Sequence, residues 1–193
     1  NYYKFNSLIK AKNTKHLNKL IKIGRQLLGS KGNFNWIDTS EITDMSDLFY
    51  RSNFNGHIEL WDVSNVTDMS AMFFKSKFNG DISKWDVSKV ENISDIFAYS
   101  NFNGDISKWD VSNVTRMSGM FRGTKFNGDI SNWDVSNVKF MNIMFCRAKF
   151  NGDISKWDVS NVKDMTMMFT ESKFNSDIRN WDVCNVRDID YIF

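Results

Sequence analysis

The chain runs to 193 residues, of which 41% are hydrophobic and 25% charged, enough for one domain with a substantial buried core. Proline is absent, so turns fall to glycine and asparagine, and no apolar run approaches the roughly 18 to 20 residues of a bilayer-spanning helix. The net charge of +2 conceals an asymmetry: residues 1–31 hold eight Lys or Arg and no acid, whereas the remainder carries 17 basic and 23 acidic residues.

Residues 1–33 read as a basic helical N-terminal cap. Leu17, Leu20, Ile21 and Leu28 fall on one helical face, with Lys15, Lys19, Lys22 and Arg25 on others. Covering the exposed core of a first repeat is the preferred role, since stacked repeats need capped ends. Binding of nucleic acid or an anionic membrane through the basic face is a second reading, and contact with another protein a third. No aromatic stacking pattern interleaves with the lysines, which disfavours nucleic acid. The segment lacks the apolar stretch and cleavage site of a secretory signal. The chain opens on Asn rather than Met, as a mature form or a fragment would.

From residue 34 to 193 one period organises the chain. Phe54, Phe78, Phe102, Phe126, Phe150 and Phe174 are spaced by 24, and so are Trp61, Trp85, Trp109, Trp133, Trp157 and Trp181. A degenerate first copy places Ile37 in the tryptophan register, giving about six and a half repeats. Equal spacing without insertions is what a stack demands, because each coil must copy the one below it. Within a unit, Trp85 and Val87 share one face of an extended segment, predicting a short strand. Val90, Ile93, Ile96 and Phe97 then recur as a helical stripe, with Ser88 as its N-cap. Burying one Trp is worth about 4 to 6 kcal/mol gross, so the tryptophan column is the expected source of stability. Each indole N–H then needs a partner inside, and a loop carbonyl is the expected one.

The hexad Ile-x-x-Trp-x-Val resembles the strand signature of leucine-rich repeats. The longer string N-G-D-I-S-K-W-D-V-S-N-V-T-D-M-S-x-M-F, nearly verbatim at 79–97, 103–121, 127–145 and 151–169, resembles the BspA-like leucine-rich-repeat surface proteins. These are also grouped as a domain of unknown function in mycoplasma lipoproteins. The resemblance spans about residues 37–193. The expected fold class is therefore α/β: a leucine-rich-repeat-like right-handed solenoid with one parallel β-sheet face, short helices opposite, and an N-terminal helical cap. The resemblance implies a cell-surface or secreted binding protein, often adhesive, with no enzymatic activity. No lipobox, signal peptide or anchor accompanies it.

Chemistry finds little foothold in the sequence. His16 lies in the basic segment and His57 stands where most copies have Asp. No zinc-protease, nucleophile-elbow or phosphate-loop motif occurs, so no catalytic residue and no cofactor is expected. Cys146 and Cys184 occupy different columns, too far apart in register for a disulfide, and read as free thiols. Two acidic columns remain. Asp62, Asp86, Asp110, Asp134, Asp158 and Asp182 should line the outer sheet face, where like charges ~4.8 Å apart repel by about 0.9 kcal/mol per neighbour even in water. A lattice with Lys84, Lys108 and Lys156 is the preferred compensation, and capping of the next turn the alternative. Asp81, Asp105, Asp129, Asp153 and Asp177 read as turn caps, with stacked calcium ligands as the lesser reading.

Two candidate surfaces follow. The first is the sheet face, represented by Lys84, Asp86, Lys108, Asp110, Asp134, Lys156 and Asp158, flat and repetitive as multivalent contact requires. The second is the edge after the helix, where copies differ from one another. It carries Phe74 and Tyr99 as anchors, with Arg122 and Arg147 beside them. The expected function is non-enzymatic: an interaction or adhesion module for a protein or glycan partner at a cell surface. The alternative is a structural or decoration component of a virus particle. The final coil, without a recognisable cap, predicts further chain or self-association there.

Overall fold

The computed structural model describes residues 7–193, so the first six residues of the expected 1–33 cap lie outside the described residues. Strand β1 (Ile9–Lys10) pairs in parallel with β2 (Ile37–Asp38), in the register Ile9 to Ile37. Between them runs α1 (Thr14–Leu28). The Asn13 side chain accepts the His16 N–H at 2.9 Å to open the helix, and Gly29, with φ of 74°, closes it. The buried face consists of Leu17, Leu20, Ile21 and Gly24. Gly24 permits the seating, since a Cβ there would lie 2.5 Å from the Phe34 ring and 3.1 Å from Trp36. No helix among the described residues is long and apolar enough to cross a membrane.

Beyond β2 the chain is a series of stacked 24-residue coils. Parallel bridges join Asp44 to Asp68, Asp68 to Asn92, and onward in steps of 24 through Arg116, Phe140, Asp164 and Asp188. Alternate main-chain groups extend each link. In one coil the N–H groups of Met69, Ala71, Phe73 and Lys75 donate to the carbonyls of Asn92, Ser94, Ile96 and Ala98 in the next, at 2.8–2.9 Å.

Two expectations about local structure are corrected here. The segment around Val90–Phe97 is not helical, and α1 is the one helix among the described residues, so no short helices line the side opposite the sheet. The reason is visible in the backbone. Asp95 and Tyr99 have φ of 54° and 56°, and the same two columns are left-handed in every coil, including Ala71 with Lys75 and Ile143 with Arg147. Each left-handed residue turns its N–H out of a helical ladder and toward the neighbouring coil. The second correction concerns the sheet. The hexad Ile82–Val87 is not a strand; Trp85 N–H returns to the Ile82 carbonyl at 3.2 Å and Val90 N–H to Val87 at 2.9 Å, two successive tight turns. The parallel ladder instead follows the segment that reads as helical.

A five-residue pattern explains both results. Asp81-Ile82-Ser83-Lys84-Trp85, Asp86-Val87-Ser88-Lys89-Val90 and Asn92-Ile93-Ser94-Asp95-Ile96 share one form: Asp or Asn, apolar, Ser, any residue, apolar. In each, the first side chain accepts the Ser N–H two residues on, at 2.9–3.1 Å, and the two apolar residues close an i to i+3 turn. The apolar pair points inward and the polar residues outward.

The inward residues build one continuous core. Phe, Trp, Val, Met and Ile columns are almost wholly buried from Phe34 to Phe169. Phe97 stacks on Phe102 at 3.9 Å within a coil and on Phe121 at 6.1 Å in the next. The six repeat tryptophans, Trp61 to Trp181, are 3–9% exposed, and each indole Nε1–H donates to a carbonyl of the preceding coil at 3.0–3.3 Å. Asparagines supply a second stitch: Asn103 N–H donates to Asn79 Oδ1 at 2.7 Å, and the ladder runs from Asn55 to Asn175.

Candidate binding surfaces

The first candidate surface lies not on the parallel ladder but on the row of tight turns. Lys84, Lys108 and Lys156 are exposed, as are Asp86, Asp110, Asp134 and Asp158. The carboxylates are occupied locally: Asp86 accepts the Ser88 N–H at 3.1 Å and the Ser88 hydroxyl at 2.6 Å, and Asp110 holds Ser112 in the same way. No Lys–Asp lattice forms: the Lys and Arg ion pairs among the described residues are Lys10–Glu41, Arg147–Glu171 and Arg179–Asp177, and His57 Nδ1 lies 3.6 Å from Glu59. Turn capping, the alternative to that lattice, is what the column does.

At some of the capped turns such bonds depress the carboxylate's proton affinity. The Ser88 hydroxyl, then its N–H, hold Asp86 below the ordinary range, and Ser83 and Ser160 do so for Asp81 and Asp158. At Asp105, Asp129 and Asp153 the serine N–H leads and the hydroxyl follows. The Arg179 guanidinium lowers Asp177 to about 2. The column Asp81, Asp105, Asp129, Asp153 and Asp177, exposed throughout, therefore caps its own turns, and no cluster of three His, Cys, Asp or Glu side chains forms among the described residues.

The second candidate surface is built differently. Tyr50 stacks on Phe74 with centroids 4.9 Å apart, and Phe74 meets Tyr99 edge-on at 6.0 Å. Cations cover these rings: Arg51 lies over Tyr50 at 5.4 Å, Lys75 over Phe74 and Tyr99 at 5.5 and 5.3 Å, and Arg122 over Tyr99 at 5.3 Å. Phe74, Tyr99 and Arg122 are half-buried, so the two rings are packed into this stack and do not stand free. Arg147 lies two coils beyond Tyr99 and grips Glu171 in the following coil through two bonds of 2.9 Å. The structure thus brings Phe74, Tyr99 and Arg122 together and sets Arg147 on the same edge.

A third feature has no counterpart in the sequence reading. An open polar groove of about 610 Å³ runs across four coils, lined by Thr67, Lys89, Glu91, Asn113, Thr115, Asn137 and Lys139. Its amides are engaged in coil-to-coil bonds, Asn113 Nδ2 to the Ser88 carbonyl and Asn137 Nδ2 to Ser112, both at 2.7 Å. The column Thr67, Glu91, Thr115, Lys139 varies from copy to copy, and that variation was the available signal. Elsewhere, Cys146 is buried and Cys184 exposed, both as free thiols, and the last coil leaves Tyr191 and Phe193 exposed.

A polar-surfaced stack of turns with a non-repeating aromatic and basic edge defines a repeat protein. The chain belongs to the family described as Mycoplasma protein of unknown function, DUF285, whose model matches twice, over residues 18–124 and 97–193. No curated protein and no solved structure matches it.

Proposed function

We propose that this protein is a non-enzymatic interaction module of the BspA-like type, a right-handed leucine-rich-repeat-like solenoid that attaches to a protein or glycan partner at a cell surface. The observation that carries the reading is the Tyr50–Phe74–Tyr99 edge. Most outward columns repeat from coil to coil and spend their polar groups on turns and stitches. At the edge the chain departs from its own pattern and places aromatic and cationic side chains side by side. Aromatic residues and arginine are the side chains enriched where proteins bind partners, and a rigid stack holds them with little entropic cost. The stacked coils also supply repeated polar surface for multivalent attachment.

The test applies labelled protein to intact bacterial and eukaryotic cells and measures saturable binding. Binding that weakens on Phe74→Ser and Tyr99→Ser, in variants whose far-UV spectrum is unchanged, supports the reading. Absence of saturable binding to every surface, or turnover of a small-molecule substrate, overturns it.

A further inference from the structure

Charge is segregated on this molecule. The edge consists of residues 50–53 and their equivalents at 24-residue steps, 74–77, 98–101, 122–125, 146–149 and 170–173. These short segments hold Arg51, Lys75, Lys77, Arg122, Lys125, Arg147, Lys149 and Lys173 against one acid, Glu171. The rest of residues 32–193 holds nine basic and 22 acidic residues. Because equivalent residues sit one above another, the basic residues form a line, not a scatter. Arg51 to Lys173 spans five coil steps, ~24 Å at ~4.8 Å per step. All but Arg122 are exposed, and Lys77, Lys125, Lys149 and Lys173 have no ion-pair partner among the described residues. The line meets α1 at its start, where Arg25 Nη2 donates to Asn53 Oδ1 at 2.6 Å.

We infer that this basic line binds a linear acidic polysaccharide laid along the stack; the inference rests on the surface-interaction reading and names its ligand class. Five of the six segments carry one or two cations and 98–101 carries none; eight cations over ~24 Å suit a chain whose anionic groups are spaced along successive sugar units. Duplex nucleic acid carries one charge per ~1.7 Å, a density the line does not match, and the acidic remainder of the body repels so strong a polyanion. Single strands are held by bases stacking on free aromatic faces. Here Phe74 and Tyr99 are half-buried, Phe74 packed against Tyr50 and Tyr99, with Lys75 over both rings and Arg122 over Tyr99, so they offer no free row of stacking faces. A flexible anionic chain lying beside these rings needs only the ammonium and guanidinium groups, which the periodic scaffold holds in register.

The experiment measures binding of the full chain to heparin, hyaluronan, dextran and a single-stranded oligodeoxynucleotide of similar length, over a salt series. Two triple variants are compared, Lys77→Gln/Lys125→Gln/Lys149→Gln on the line and Lys84→Gln/Lys108→Gln/Lys156→Gln on the turn face. They remove equal charge, so net charge alone cannot separate them. The expected result is salt-sensitive binding to heparin or hyaluronan, none to dextran, and a loss of about tenfold or more in the line variant only. Heparin without hyaluronan identifies sulfate as the recognised group; both together identify acidic groups in general. Failure to bind either acidic polymer, equal loss in the two variants, or tighter binding of the oligonucleotide overturns the inference. If the line variant still attaches to cells as the wild type does, this inference fails while the surface-interaction reading stands.

Discussion

The indole Nε1–H of Trp109 donates to the main-chain carbonyl of Ile82, 27 residues earlier in the preceding coil, at 3.1 Å. The bond satisfies a donor that is otherwise buried at 3% exposure, and it also occupies a carbonyl that starts a tight turn. Trp109→Phe removes the donor, leaves the Ile82 carbonyl with only the Trp85 N–H, and leaves part of the indole volume empty. A destabilisation of about 2 to 4 kcal/mol is expected, read from urea denaturation by circular dichroism. An unchanged midpoint would show that the bond contributes nothing.

The left-handed columns make a prediction with two signs. Gly119 has φ of 65°, and a Cβ there would lie 2.2 Å from Asp95 Oδ1. Gly119→Ala is expected to cost about 1 to 2 kcal/mol. Met167 occupies the same column two coils later, exposed, with φ of 55°. Met167→Gly keeps its N–H bond to the Asp190 carbonyl and relieves the strain, for a gain of about 0.5 to 1 kcal/mol. Thermal melts of the two variants should move in opposite directions.

The capped carboxylates set an acid limit. Asp81, Asp86, Asp105, Asp129, Asp153, Asp158 and Asp182 are held below the ordinary value of 3.8, and Asp177 falls to about 2. A folded pKa below the unfolded one gives stability that is complete above the unfolded value and is lost as pH falls through the folded value. The urea midpoint should therefore hold steady between roughly pH 7 and pH 5 and fall between roughly pH 4 and pH 2. Asn92 shows that a carboxamide can close the same turn, accepting the Ser94 N–H at 3.1 Å. The combined variant Asp81→Asn/Asp86→Asn/Asp158→Asn should accordingly remain folded and lose less of its stability in acid.

The two thiols should react unequally. Cys146 is 4% exposed within the core, while Cys184 is exposed beside Asp182. Its hydrogen bond to the Asp182 carboxylate, then that group's charge, raise the Cys184 pKa above the usual thiol range. Alkylation of the native protein is expected to modify Cys184 alone, slowly near neutral pH and faster as pH rises. Asp182→Asn should speed the reaction; mass spectrometry of tryptic peptides reads both rates.

Much of this fold is legible in the residues themselves. The 24-residue spacing of Trp85 and Trp109 names the columns, and apolar identity alone places Phe78, Val87, Ile93 and Phe97 inside. The edge around Phe74 and Tyr99 stands out as the place where copies disagree. The Lys84–Asp86 surface was harder to read, because a side chain's neighbours in sequence do not reveal whether its charge is already spent on its own turn. The five-residue pattern headed by Asp81, Asp86 and Asn92 was available as a signal, yet it is masked by the longer period.

What the sequence determines by itself is therefore the period, the inward set of side chains and the stitches that a 24-residue register must create. What only the tertiary structure decided is the path of the backbone between those columns. Apolar residues three apart, such as Ile93 and Ile96, suit a helical turn and a tight turn equally well. The choice falls to hydrogen bonds between coils: Ile93 and Asp95 donate to Arg116 and Ser118 at 3.0 and 2.8 Å, bonds that a helix would have closed within its own segment.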